Sequence, residues 1–175
     1  TKRPFTGAVK GVSEEHDDDE SYRLQRPLEP GPDEPWVEAA PFRAHVLHTL
    51  EVADIPWPVF AIETGIPVPA IRSLLFGRQG RPLKRLTPRL AGKLLRVQPP
   101  DLAGLHRTQV RADVTAKRLG GLLRAGVDPL RLARWCDLSP HELARLVDGE
   151  APSCSRVTES LVLAAERMLF APVLG

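Results

Sequence analysis

Residues 54–77 read DIPWPVFAIETGIPVPAIRSLLFG, and residues 126–149 read GVDPLRLARWCDLSPHELARLVDG. A shift of 72 positions lays Ala44, Leu47, Leu50, Ala53, Ala61, Leu74 and Gly77 over Ala116, Leu119, Leu122, Ala125, Ala133, Leu146 and Gly149. At the same offset Ile55 falls on Val127, Ile66 on Leu138 and Ile71 on Leu143. The shared positions are small or apolar, so what repeats is a packing pattern, and one structural unit is expected to occur twice.

Glycine and proline divide each copy into helices. Pro41 suits a first helical position, and Phe42, Val46, Leu47 and Leu50 make one apolar stripe after it. Asp54 to Pro58 breaks that helix, and Val59, Phe60 and Ala61 lie on a short second one ended by Gly65. A third helix from Pro67 turns Ile71, Leu74 and Leu75 inward and stops at Gly77, and Thr87 with Pro88 caps a fourth running to Val97. In the second copy the spacing predicts helices near 113–125, 129–136, 139–148 and 158–170. Ser139, Pro140 and Glu142 supply an N-cap, a first-turn proline and a capping-box acid in succession. Long alternating runs of Val, Ile and Thr are missing, and sheet is not expected.

The turn between the second and third helices needs small neighbours and one residue free to take positive φ, which Ala61 and Gly65 provide. With Ile66, Ile71 and Leu74 closing a small core, residues 54–76 resemble the helix-turn-helix of the lambda-repressor and Cro-like family, common in GC-rich bacteria and their phages. The second copy departs from that pattern where Asp137 stands in place of Gly65. Asp also visits the left-handed region, though less readily. The expected fold is all-α: two tandem helix-turn-helix units of about four helices each. Their bounds are 41–97 and 113–175, with a linker at 98–112 that includes a short turn at Asp101 to Leu105.

The resemblance implies sequence-specific binding of double-stranded DNA, as in a repressor-like transcriptional regulator, with the third helix of a unit in the major groove. On that helix Arg72 and Ser73 are the candidates for base edges, and Val68 for a thymine methyl. Pro67 and Pro69 lack backbone donors and weaken phosphate anchoring at the helix start. The following loop places Arg78, Gln79, Arg81, Lys84 and Arg85 within eight residues. Its Gly80, Arg81, Pro82 core resembles an AT-hook, with Gln79 where that motif has arginine, so a phosphate or minor-groove contact is expected without AT specificity. In the second copy the outward candidates are His141 and Arg145, with Glu142 beside them and Arg156 in a loop, Glu150 to Arg156, of no net charge. That copy is expected to bind phosphate less well, serving a weaker half-site or a protein. With both units in one chain, a monomer suffices on DNA.

The net charge of +2 hides a gradient. Residues 1–41 hold five basic and ten acidic side chains, residues 42–100 nine and three, and residues 101–175 ten and nine. Arginine makes up 19 of 24 cations, which suits guanine and phosphate recognition and equally follows from GC-rich coding. Residues 1–40 carry the run Glu14, Glu15, His16, Asp17, Asp18, Asp19, Glu20 among prolines and read as a disordered acidic tail. Solubility is its favoured role. Competition with DNA for the basic surface, or contact with another protein, is the other.

Remaining chemistry is sparse. Cys136, His141 and Cys154 lack paired C-x-x-C spacing, and Cys136 matches the inward Thr64. His45 and His48 miss the i, i+4 spacing of a metal pair, and Trp57 and Trp135 read as core. Neither a phosphate-binding P-loop nor a nucleophile elbow is present, and clustered carboxylates of a nuclease are missing from the ordered region. No enzyme, metal or cofactor is expected. Without an apolar run long enough to cross a bilayer, the reading is of a soluble, cytoplasmic or nucleoid-associated protein with no membrane partner. The alternative is a protein-binding adaptor or antitoxin-like protein with one DNA-binding unit.

Overall fold

A computed structural model describes residues 35–170. The acidic tail therefore lies outside the described residues. The first unit runs β1 (Val37–Glu38), α1 (Ala40–Ala53), α2 (Trp57–Thr64), α3 (Val68–Phe76), β2 (Arg85–Leu86) and α4 (Pro88–Arg96). A 3-10 turn at Pro99–Leu102 follows. The second unit repeats the order as β3 (Gln109–Arg111), α5 (Asp113–Arg124), α6 (Pro129–Trp135), α7 (Pro140–Val147), β4 (Ser153–Ser155) and α8 (Arg156–Phe170). The chain is thus mainly helical, with helices where the glycine and proline punctuation placed them.

The two small sheets correct the all-helical expectation. β1 pairs antiparallel with β2, Val37 opposite Leu86, and β3 with β4, Val110 opposite Cys154. Each clasp joins the chain just before a unit's first helix to the chain just before its last, and satisfies backbone groups that would otherwise end in solvent. The second clasp draws on residues 109–111, inside the segment read as linker.

The turns follow the backbone chemistry of the sequence. Asp54 (φ 51°) ends α1 in the left-handed region and Gly65 (φ 70°) ends α2. At the matching points of the second unit Gly126 (φ 92°) and Asp137 (φ 53°) stand, so the two copies exchange Gly and Asp between their turns. A Cβ added at Gly65 would meet open space, and only backbone conformation is at stake there, which Asp tolerates. Ser139 and Glu142 form the capping box at α7, and the Thr87 hydroxyl accepts from the Leu90 amide at α4.

The first helices of the units bury different faces. α5 buries Thr115, Leu119 and Leu122, whereas α1 buries Val46, Thr49 and Ala53 and leaves Leu47 51% exposed, against expectation. The 3-10 turn packs on α1 and buries Leu102, while α5 receives α8 and α7. α1 is rolled toward the turn, which carries Leu47 off the stripe.

The units share one core. α8 packs against α2 and α3 of the first unit as well as α5 of its own. Glu63 on α2, 13% exposed, accepts from Arg156 Nε at 2.8 Å and Ser160 Oγ at 2.6 Å. Trp57 meets Trp135 edge-on with ring centroids 6.1 Å apart, and Trp135 Nε1 donates to the Leu161 carbonyl. The His106 ring lies 2.6 Å from the Asp54 carbonyl oxygen. The tryptophans are therefore half-buried seam residues. Among the described residues no helix is long and apolar enough to cross a membrane.

Candidate nucleic-acid interface

α3 buries Val68, Ile71 and Leu74. Val68, only 2% exposed, is a core residue and cannot reach a thymine methyl, which corrects its assignment. At the first turn its side chain sits three residues before Ile71, on the same inward face. The outward face carries Pro69, Arg72 and Phe76, with Ala70 and Ser73 half-buried at its edge. The N-cap is Pro67, without a side-chain cap, so the helix start offers few donors.

The loop after α3 is a built structure. Gly77 (φ 75°) ends the helix, donating to the Ser73 carbonyl at 2.9 Å. Arg78 and Arg81 then exchange two backbone hydrogen bonds of 2.9 Å across a corner formed by Gln79 (φ 50°) and Gly80 (φ 74°). Two consecutive positive-φ residues in a two-residue hairpin give the primed turn. The resemblance to an AT-hook thus stops at sequence, because Arg81 lies in a folded hairpin and not an extended strand. Residues directly opposite in an antiparallel bridge project to one side, which brings Arg78 and Arg81 together. A Cβ at Gly77 would lie 2.0 Å from the Arg81 carbonyl oxygen, so this glycine is required by space as well as conformation.

Arg43, which sequence reasoning did not single out, holds the hairpin to the core. From α1 its Nε donates to the Leu74 carbonyl at 2.7 Å and its Nη2 to the Leu83 carbonyl at 2.6 Å. These bonds satisfy a carbonyl at the end of α3 and one in the loop, work that no spacing along the chain announces. The Ala39 amide adds a third tie, to the Lys84 carbonyl at 2.9 Å.

Arg72, Arg78, Gln79, Arg81, Lys84 and Arg85 are all exposed. Arg89 on α4 is a further exposed cation that the sequence reading missed, although Leu90, Ala91 and Leu94 turn inward beside it. Arg78 Nε donates to Ser73 Oγ at 3.3 Å, so Ser73 supports the hairpin arginine. Among the described residues none of these cations has a carboxylate in ion-pair range, while Glu38 stands opposite Arg85 across the β1–β2 pair.

The second unit differs at the matching place. His141 and Arg145 on α7 are exposed, and Arg145 Nε lies 3.7 Å from a Glu150 carboxylate oxygen. Glu142, at the start of the same helix, accepts from the Ser139 amide at 2.8 Å through Oε2, and this hydrogen bonding holds its carboxyl below the usual range. Arg156 is not a free contact. It bonds Glu63 and Glu159, each at 2.8 Å, and the Glu63 bond raises its pKa further, so the side chain is a clamp between units.

Cys136 and Cys154 are buried free thiols. Burial pushes the Cys136 thiol up to about 12, and burial also raises Cys154, whose Sγ donates to Thr115 Oγ1. His141 stands in solvent, and among the described residues no three His, Cys, Asp or Glu side chains gather as metal ligands would. No family model, curated protein or solved structure matches the chain.

Proposed function

We propose that the chain binds double-stranded DNA sequence-specifically as a repressor-like regulator, through tandem helix-turn-helix units of which the first makes the principal contact. The observation that carries this reading is the cationic surface formed by Arg72 on α3 and the Arg78 to Arg85 hairpin, whose side chains have no ion-pair partner among the described residues. Two helices joined by a positive-φ residue, with the second leaving Arg72 in solvent on its outward face, have the parts needed to enter a major groove. Arg72 reads a base edge, and Arg78, Arg81, Lys84 and Arg85 neutralise phosphates of the adjoining backbone. Phosphate contacts set register and affinity, and the narrow outward face of α3 restricts direct readout to few positions.

The second unit makes a weaker contact, its reading helix bearing an anionic Glu142 and a partly neutralised Arg145. The same observation favours the second reading, an adaptor whose first unit binds DNA and whose second unit binds protein.

Selection of sites from a random duplex pool tests the proposal. A single enriched motif is expected, and Arg72→Ala relaxes preference at one or two of its positions at about 1–3 kcal/mol each. Recovery of no motif with either protein would leave a general polyanion binder. A motif spanning two half-sites would show that both units engage, and a single short one that the second unit serves another partner.

A further inference from the structure

The basic hairpin sits where the amino-terminal segment joins the fold. β1 pairs with β2 so that Glu38 stands opposite Arg85, and the Ala39 amide bonds the Lys84 carbonyl. Residues 37–39 therefore lie alongside Lys84 to Leu86, next to the basic hairpin. In the chain preceding residue 35, Glu14, Glu15, Asp17, Asp18, Asp19 and Glu20 place six carboxylates within seven residues. Glu20 is 15 residues from Pro35, a stretch that spans at most about 50 Å, enough to reach any point of the hairpin.

The run is also dense in negative charge, as a nucleic-acid backbone is. An extended peptide advances about 3.3–3.6 Å per residue. One strand of B-DNA carries a charge about every 3.4 Å. The six carboxylates, interrupted at His16 and alternating between the faces of an extended chain, still give the run a dense negative charge for guanidinium groups to pair with. Among the described residues Arg72, Arg78, Arg81, Lys84, Arg85 and Arg89 have no carboxylate in ion-pair range, whereas four second-unit arginines, Arg111, Arg118, Arg145 and Arg156, do.

We infer that residues 14–20 dock on the Arg78 to Arg85 hairpin and occupy it in competition with duplex DNA. The inference rests on the DNA-binding reading for its consequence, while the docking itself stands on charge and tether. A tether of this length gives the run a millimolar effective concentration at the hairpin, so even a weak contact lowers apparent DNA affinity. For a contact of sub-millimolar strength the reduction is on the order of tenfold.

The full chain is compared with a variant carrying Glu14→Gln, Glu15→Gln, Asp17→Asn, Asp18→Asn, Asp19→Asn and Glu20→Gln. Without DNA, zero-length carbodiimide coupling followed by peptide mass spectrometry is expected to join Lys84 to the 14–20 run within one molecule. Lys117 on α5, equally exposed, is expected to remain unlinked. With a random-sequence duplex, the neutralised variant is expected to bind on the order of tenfold more tightly at low salt, the difference shrinking as salt rises. Linkage spread evenly over Lys84 and Lys117, or equal affinities of the two proteins, would overturn the inference. A Lys84 link in a chain that binds no duplex would uphold the docking and overturn the DNA-binding reading.

Discussion

In the first unit α3 and the loop after it present Arg72, Arg78, Arg81, Lys84 and Arg85 to solvent, with no carboxylate of the described residues in ion-pair range. In the second unit the corresponding stretch turns Arg145 toward Glu150 and commits Arg156 to Glu63 and Glu159. The backbone plan is the same: clasp, three helices, clasp, helix. A duplicated scaffold thus keeps its element order and its turns, while the buried face of the first helix and the surface charge differ between the copies. It follows that the repeat carries the element order of both copies, whereas surface charge distinguishes them.

The sharpest way to break the comparison is at its paired glycines. Gly77→Ala places a methyl against the Arg81 carbonyl, where backbone must move, and Gly149→Ala meets only the cost of positive φ at 75°. Gly77→Ala is expected to lose about 3 kcal/mol or more of stability, and Gly149→Ala about 1 kcal/mol, by denaturant unfolding. Equal losses would mean that the hairpin yields without strain.

Next comes the clamp between the units. Glu63→Ala removes the acceptor shared by Arg156 and Ser160, and is expected to cost about 1–2 kcal/mol, discounted because Arg156 remains partly in solvent and keeps Glu159. A midpoint shift in thermal unfolding reads it. Two separated transitions in the variant would show that the seam couples the units, whereas an unchanged midpoint would remove the clamp from the account.

Smaller effects belong to the caps and thiols of the second unit. Ser139→Ala opens the capping box and is expected to cost about 1 kcal/mol, by the same unfolding measurement. Cys136 is neutral in the fold and ionises more readily once unfolded. Its contribution is fully present below the ordinary thiol value of 9.0 and is lost as pH rises toward about 12. Cys136→Ala should lose less stability than the parent over that interval, and in the native parent an alkylating reagent should leave Cys136 unlabelled. Rapid labelling at neutral pH would contradict its burial.

How much of this was legible in the chain depended on the range of the signal. Helices were marked by local punctuation, as at Thr87 with Pro88 and Ser139 with Pro140, and the left-handed Asp137 followed from its alignment with Gly65. The clasps were invisible because strands of two and three residues are too short to show an alternating pattern. Leu47 was misplaced because α1 carries apolar residues on two faces, and only the 3-10 turn, remote in sequence, decides which is covered. The hairpin cations were legible as a cluster. Arg156 was not legible as a clamp, since its partner Glu63 lies 93 residues away. Arg43 was hidden likewise, its carbonyl partners being 31 and 40 residues distant.

The dependence of duplex affinity on salt tests the central claim most directly, measured for the parent, for Arg78→Ala with Arg81→Ala, and for Arg145→Ala. Each lost phosphate contact lowers the log–log slope by about 0.9. The hairpin double variant is expected to bind more weakly to all sequences with a slope smaller by nearly two such steps, while Arg145→Ala leaves the slope within a fraction of one step. An unchanged slope in the double variant, or an equal fall in Arg145→Ala, would contradict the assignment of the DNA surface to the first unit.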